Sequence, residues 1–162
     1  MLPRWPFLET ERKYLVLSES WRTHVRMTSR IKQSYFYTFP GVTARIRQIG
    51  KLSLITCKTL PVGGTRGEIE FPVASDMAKW LFKFCPRPPI EKERHLVSHA
   101  GATWEIDVFL GRHKGLVVAE IELNHPSQPV VLPAWVGREV TKDPLYRNSV
   151  LYRTDNVPAP TD

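Results

Sequence analysis

Apolar and charged residues alternate in one stretch of the chain after another. Glu9, Glu11 and Lys13 are spaced by two, as are Arg45 and Arg47, Glu68 and Glu70, Lys92 and Arg94, Glu105 and Asp107, and Glu120 and Glu122. Period two is the signature of an extended strand, whose successive side chains point to opposite faces. The alternation, with β-branched and aromatic enrichment, predicts eight strands, over 7–17, 31–39, 42–49, 52–59, 67–73, 90–97, 102–110 and 116–123. Turn signals separate them at Pro40-Gly41, Gly50-Lys51, the PVGGTRG stretch before 67, Ala100-Gly101 and Gly111 to Gly115. Short strands at this spacing favour a closed antiparallel barrel or a sandwich. Helices are expected over 76–85, capped by Ser75-Asp76 and carrying Met77, Trp80, Leu81 and Phe84 at helical spacing, and over 19–26 after Ser18. A further short helix is expected after Asp143-Pro144.

For any one charged pair, a solvated outer sheet face explains the alternation well. The set of pairs does not fit that reading. Glu9/Glu11, Glu68/Glu70 and Glu120/Glu122 put like charges on one face, where they repel each other. Eight of the sixteen carboxylates lie in such patterns. The apolar Ile46, Ile69 and Ile121 intervene in these pairs and Val108 follows Asp107, so the opposite face is mostly apolar and needs cover of its own, which the 76–85 helix can supply. A barrel with its charged faces turned inward satisfies both demands. Its interior must be wet and its acids paired with cations or a ligand. Lys13, Arg45, Arg47, Lys58, Lys92 and Arg94 share the parity of the acids. Such a cavity suits a ligand of concentrated negative charge, such as a linear triphosphate. Arginine and lysine would grip its oxygens, and oxygen-bound Mg²⁺ or Mn²⁺ would bridge phosphate to carboxylate.

The 162-residue length fits one domain, read as residues 1–151 with 152–162 as a disordered tail. A net charge of +7 is compatible with nucleic acid, polyphosphate or anionic lipid. Cys57 and Cys85 have no metal-ligand spacing and read as buried free thiols, which points to a cytoplasmic setting. No stretch has the length of a membrane span, and the N-terminal MLPRWPFL does not read as a signal peptide. The histidines at 24, 95, 99, 113 and 125 lack paired zinc spacing. Gly63-Gly64-Thr65-Arg66-Gly67 lacks the Lys-Ser/Thr of a phosphate loop and reads as a hairpin turn. Trp21, Trp80 and Trp135 are expected in packing roles, and Arg138 and Lys142 as solvated surface charge.

Glu9-Thr-Glu11-Arg-Lys13 forms an ExExK motif on the first predicted strand. In order follow TARIRQ, LITCK, RGEIEFPV, IEKERHLV, WEIDVF, GLVVAEIEL and GREVTKDPLYRNS. On this ordered set, from about Leu8 to Leu151, the chain resembles the CYTH domain of the triphosphate tunnel metalloenzymes, in particular the short bacterial single-domain members. The resemblance implies a mainly β fold, an eight-stranded antiparallel β-barrel tunnel with a few flanking helices. It implies that Glu9 and Glu11 bind metal and position water, and that Glu120 and Glu122 are metal ligands. Glu68 and Glu70 match the middle acidic pair, Asp107 a tunnel acid, and Glu105 shares its face. Lys13, Arg45, Arg47, Lys58, Lys92 and Arg94 match the phosphate-binding bases. Two departures stand out: eight residues precede Glu9, and Thr59 follows Lys58 where relatives often have glycine.

The expected activity is Mg²⁺- or Mn²⁺-dependent hydrolysis of a triphosphate, foremost inorganic tripolyphosphate. ATP, thiamine triphosphate and RNA 5′ triphosphates are the other candidate substrates. ATP cyclisation uses the same tunnel but needs an adenine pocket. A non-catalytic polyphosphate- or RNA-binding module is disfavoured, because bare paired carboxylates repel phosphate.

Overall fold

The computed structural model describes residues 7–63 and 65–159. Most of the extension ahead of Glu9, Gly64 of the PVGGTRG turn and the end of the expected tail lie outside these residues. Each predicted strand forms. β1 (Phe7–Val16), β2 (Val25–Phe39), β3 (Val42–Ile49), β4 (Leu52–Thr59) and β5 (Thr65–Pro72) precede the main helix, α1 (Ser75–Phe84). β6 (Ile90–His99), β7 (Ala102–Phe109) and β8 (Val117–Glu122) follow it. Antiparallel neighbours run β5-β4-β3-β2-β6-β7-β8-β1, and β1 pairs with β5 to close a barrel of eight strands. The β6–β7 turn places both Ala100 (φ 48°) and Gly101 (φ 77°) at positive φ, the backbone that tight hairpins with primed turns demand.

Two elements differ from expectation. The segment 19–26 forms only a 3₁₀ turn, Ser20–His24, and β2 already begins at Val25. A ninth strand, β9 (Val136–Glu139), joins the edge of β1 beyond the reach of β5. It has no clear alternation, and its place depends on Gly137. A Cβ there would lie 2.9 Å from the Leu17 side chain and 3.2 Å from the Leu15 carbonyl, so only glycine lets the two backbones approach. The region after Asp143 folds as expected. The Asp143 carboxylate accepts a hydrogen bond from Leu145 N at 3.1 Å, ahead of the 3₁₀ turn Pro144–Tyr146 and helix α2 (Asn148–Leu151).

Cross-strand registers show which residues share a face. Glu9 stands opposite Arg66, Glu11 opposite Glu122, Lys13 opposite Glu120, Lys58 opposite Glu68 and Arg94 opposite Asp107. These residues line the inside. The outer faces of β1, β6, β7 and β8 carry Tyr14, Val97, Trp104, Ile106, Ala119 and Ile121, packed under Trp21 and Trp135. Inside, Leu15, Tyr35, Ile90, Phe109 and Val118 pack against Val140, Tyr146, Leu151 and Tyr152 of the C-terminal segment, which plugs one end. Tyr152, placed in the tail by the sequence reading, is buried, and its hydroxyl donates to the Arg87 carbonyl at 2.8 Å. Asp155 ion-pairs with Arg87.

Helix α1 lies against β2, β3 and β4, with only part of its expected apolar stripe facing them. It turns Ala78, Leu81 and Phe82 inward, and Met77, Trp80 and Phe84 remain exposed. The small Ala78 allows close approach, and Phe82 receives the Lys32 ammonium 4.7 Å over its ring. Trp80 stacks on Phe84 instead, with ring centroids 4.3 Å apart. Among the described residues, no helix is long and apolar enough to cross a membrane.

Trp104 is fully buried, whereas Trp80 is 55% exposed. Trp104→Ala is therefore expected to lower unfolding free energy by about 3–5 kcal/mol. Trp80→Ala should change it by less than about 1 kcal/mol. Urea denaturation of the two variants tests the orientation of α1.

Candidate active site in a charged tunnel

The inner wall is a set of ion pairs spaced by the strand pleat. Its most enclosed part joins β1, β6, β7 and β8. Lys92, 1% exposed, bonds to Asp107. Arg94 grips the same carboxylate with both prongs, Nε to Oδ1 at 2.7 Å and Nη2 to Oδ2 at 2.8 Å. Arg94 also pairs with Glu105, and at 3.1 Å with Glu120, which Lys13 reaches at 2.8 Å. Burial alone would raise the carboxyl pKa values of Asp107 and Glu120; instead Arg94, Lys92 and Lys13 hold both low. The Lys92 ammonium is pushed down to about 8 by burial, only partly opposed by Asp107. Lys13 moves upward, because Glu120 and Glu11 outweigh its burial. Burial raises Glu105, with Arg94 a partial counterweight.

The second group faces a cavity of about 830 Å³, lined among others by Glu9, Glu11, Lys13, Arg45, Lys58 and Arg66. Lys58 bonds Glu9 at 2.8 Å and also pairs with Glu68. Arg66 spans two acids, Nε to Glu9 and Nη2 to Glu11, both at 2.7 Å. Burial would lift the Glu9 carboxyl, yet Lys58 and Arg66 hold it at about 2. Arg47 bonds Glu70 at 2.6 Å, and the Thr56 hydroxyl donates to the same oxygen at 2.7 Å.

Two charges stand apart. Arg45 is 6% exposed and its Nε has no hydrogen-bond partner. It makes no ion pair among the described residues, although it lines the cavity. Glu122 likewise has no ion pair among the described residues. Its carboxyl is raised by burial and by Glu9, Glu68 and Glu11. With Glu9, Glu68 and Glu70, it lines a second recess of about 620 Å³.

All the sequence-predicted site residues thus share the interior, but not one surface. Glu9, Glu11, Lys13, Arg45 and Lys58 line the large cavity, and Glu68, Glu70 and Glu122 the acidic recess. Arg47, Lys92, Arg94, Asp107 and Glu120 line neither: Arg47 pairs with Glu70 of the recess, and the other four form an enclosed network on the inner wall that reaches Lys13. Among the described residues, no three His, Cys, Asp or Glu converge as a ready cation site, because bases separate most of the acids. The donors are all carboxylate oxygens, the type that suits Mg²⁺ or Mn²⁺. Glu122, exposed and without an ion pair among the described residues, stands directly across from Glu11. The set fits a hard divalent ion in its chemistry.

Arg66 is the site residue that the alternation should have exposed and did not. It shares parity with Glu68 and Glu70, but it sits in the stretch read as a turn. β5 begins at Thr65, so extending the period by two residues finds it. Lys142, exposed as expected, and Arg147 also line the mouth of the cavity.

A closed barrel with ion pairs on its inner wall and a cavity rimmed by bases defines a tunnel protein built for a polyanion. The family model described as the CYTH domain matches residues 8–150, and the chain belongs to that family. It is 34% identical over 146 residues to an inorganic triphosphatase of Acetivibrio thermocellus, covering 90% of this chain and 93% of that protein. An inorganic triphosphatase of Nitrosomonas europaea is 30% identical over 148 residues, covering 88% and 95%. The crystal structure of the inorganic triphosphatase NE1496 superposes with a TM-score of 0.65 at 27% identity, covering 90% of this chain and 95% of that one.

Asp107→Asn would leave Lys92 and Arg94 with reduced compensation in a buried site. A loss of about 3–5 kcal/mol in unfolding free energy is expected, read by urea denaturation. Glu9 supplies a pH signature. Its folded value of about 2 lies below the ordinary 4.5, so its stabilisation is complete above the ordinary value and drains away as pH falls towards the folded one. Between these limits the wild type should lose stability more steeply than Glu9→Gln, as measured by urea midpoints across that pH range.

Proposed function

We propose that this tunnel hydrolyses inorganic triphosphate in a reaction dependent on Mg²⁺ or Mn²⁺. The observation that carries the proposal is the inner wall itself. It holds acids and bases in ion pairs inside the barrel, with Arg45 buried on the large cavity and without an ion pair among the described residues. A polyanion alone would meet repelling carboxylates, and a cation alone would meet repelling bases. A triphosphate together with a divalent cation matches both. The relatives named as inorganic triphosphatases support the same substrate.

In this reading Arg45, Lys58 and Lys13 grip phosphate oxygens, and Arg45 does so without first giving up a partner. Glu9, Glu11 and Glu122 would hold the cation, with Glu68 and Glu70 behind them. The cation, when bound, neutralises phosphate charge and lowers the pKa of water. Glu9, whose carboxyl Lys58 and Arg66 hold low, and Glu11 beside it orient the attacking water by accepting its hydrogen bonds. The bases stabilise charge on the leaving pyrophosphate. Lys92, Arg94, Asp107 and Glu120 keep Lys13 aimed into the cavity through the Lys13–Glu120 pair.

Phosphate release should be tested on tripolyphosphate, thiamine triphosphate, ATP and 5′-triphosphate RNA, with Mg²⁺, with Mn²⁺ and with neither. Fastest release from tripolyphosphate, and none without metal, is expected; cyclic AMP from ATP as the main product would overturn the proposal. Glu11→Gln should abolish turnover. Arg45→Ala should weaken tripolyphosphate binding roughly ten- to a hundredfold, the scale of a lost charge-assisted hydrogen bond. Its stability should change little, since Arg45 gives up no ion pair. Calorimetry and thermal melting provide the two readings.

A further inference from the structure

The cation held by the Glu9–Glu11 pair in the folded chain belongs to the protein. Arg66 bonds both carboxylates at 2.7 Å. A guanidinium fork is matched to the two oxygens of one carboxylate, yet here it is divided between two side chains, as a bridging ion would be. Lys58 is shared between Glu9 and Glu68, and among the described residues Arg66 is the base that ion-pairs with Glu11, with Lys13 acting on it from farther away. Glu122, directly across from Glu11, makes no ion pair among the described residues. Arg66 also lines the same cavity as Arg45 and Lys58. Its side chain is 22% exposed, which leaves room for it to turn without moving β5.

We propose that Arg66 is a positioning residue that occupies the Glu9–Glu11 pair while the tunnel is empty and transfers to the triphosphate when that pair takes its divalent cation. The proposal rests on reading the tunnel as a metal-dependent triphosphatase. Each charge exchanges one partner for another in the transfer. Freeing Arg66 with no phosphate present leaves a guanidinium unpaired beside a newly bound cation. Drawing it to phosphate with no cation present leaves Glu9, Glu11 and Glu122 facing one another. Metal and triphosphate therefore favour each other's binding, and the coupling is reciprocal. Arg66 keeps the acids from holding metal in the absence of substrate.

Mn²⁺ is titrated calorimetrically into the wild type, Arg66→Gln and Arg66→Lys, with and without a non-hydrolysable imido analogue of triphosphate. Without the analogue, Arg66→Gln should bind Mn²⁺ at least tenfold more tightly than the wild type. Arg66→Lys, whose single ammonium cannot bridge both acids as a fork does, should fall between them. The analogue should tighten Mn²⁺ binding strongly in the wild type and much less in Arg66→Gln. Thermal melting gives a second reading: added Mn²⁺ should raise the midpoint of Arg66→Gln more than that of the wild type. Equal or weaker Mn²⁺ affinity in both folded variants, with the wild type still binding, would overturn the role of Arg66 and leave the metal-dependent reading intact. No Mn²⁺ binding by any of the three, even with the analogue, would overturn that reading and this proposal together.

Discussion

The structure depends on turning a charged strand face inward and neutralising it there. A buried unpaired ion costs several kcal/mol, so each acid needs a base within a strand spacing or two. The strand register supplies it. Glu9 meets Arg66 and Lys58, Glu120 meets Lys13 and Arg94, and Asp107 meets Lys92 and Arg94. A slip of one residue would turn every one of these side chains outward. Closure of the barrel through β1, which pairs with both β5 and β8, is what brings the last partners together.

The apolar core is displaced as a result. Trp21, Trp104 and Trp135 pack outside the barrel wall, and the C-terminal segment closes one end against Phe109 and Ile90. The interior is left to ion pairs of two kinds. Those in the enclosed part of the inner wall, centred on Asp107 and Arg94, fix geometry. Those on the cavity, centred on Glu9, Lys58 and Arg66, can exchange partners with a ligand. The difference in burial separates scaffold from working surface within one chemical type.

Much of this was legible in the sequence. Period two fixes parity, and parity grouped the charged residues it picked out, from Glu9 to Glu122, onto shared strand faces. The signs of those charges pointed to a ligand of mixed ionic needs. What escaped had weak local signals. Arg66 lies where glycine-rich turn chemistry masks the first residues of β5. β9 is four residues long and holds its place through Gly137, whose value is a missing side chain. The first part of β2 carries Arg26, Thr28 and Arg30 on the face opposite the interior and does not look apolar. In α1, spacing selected Met77, Trp80, Leu81 and Phe84, and of these only Leu81 turns inward, beside the small Ala78 and Phe82. The division between cavity-facing and enclosed ion pairs is a tertiary property that no spacing encodes.

The central claim is that the inner wall releases its own ion pairs to bind a triphosphate and a divalent cation together. The most direct measurement is anomalous diffraction from crystals grown with Mn²⁺ and the imido analogue of triphosphate. It should show manganese inside the barrel beside Glu9, Glu11 and Glu122, with the analogue against Arg45 and Lys58 and Arg66 turned from the carboxylates. An analogue bound outside the barrel, or bound inside with the Glu9–Arg66–Glu11 contacts intact and no manganese signal, would contradict it.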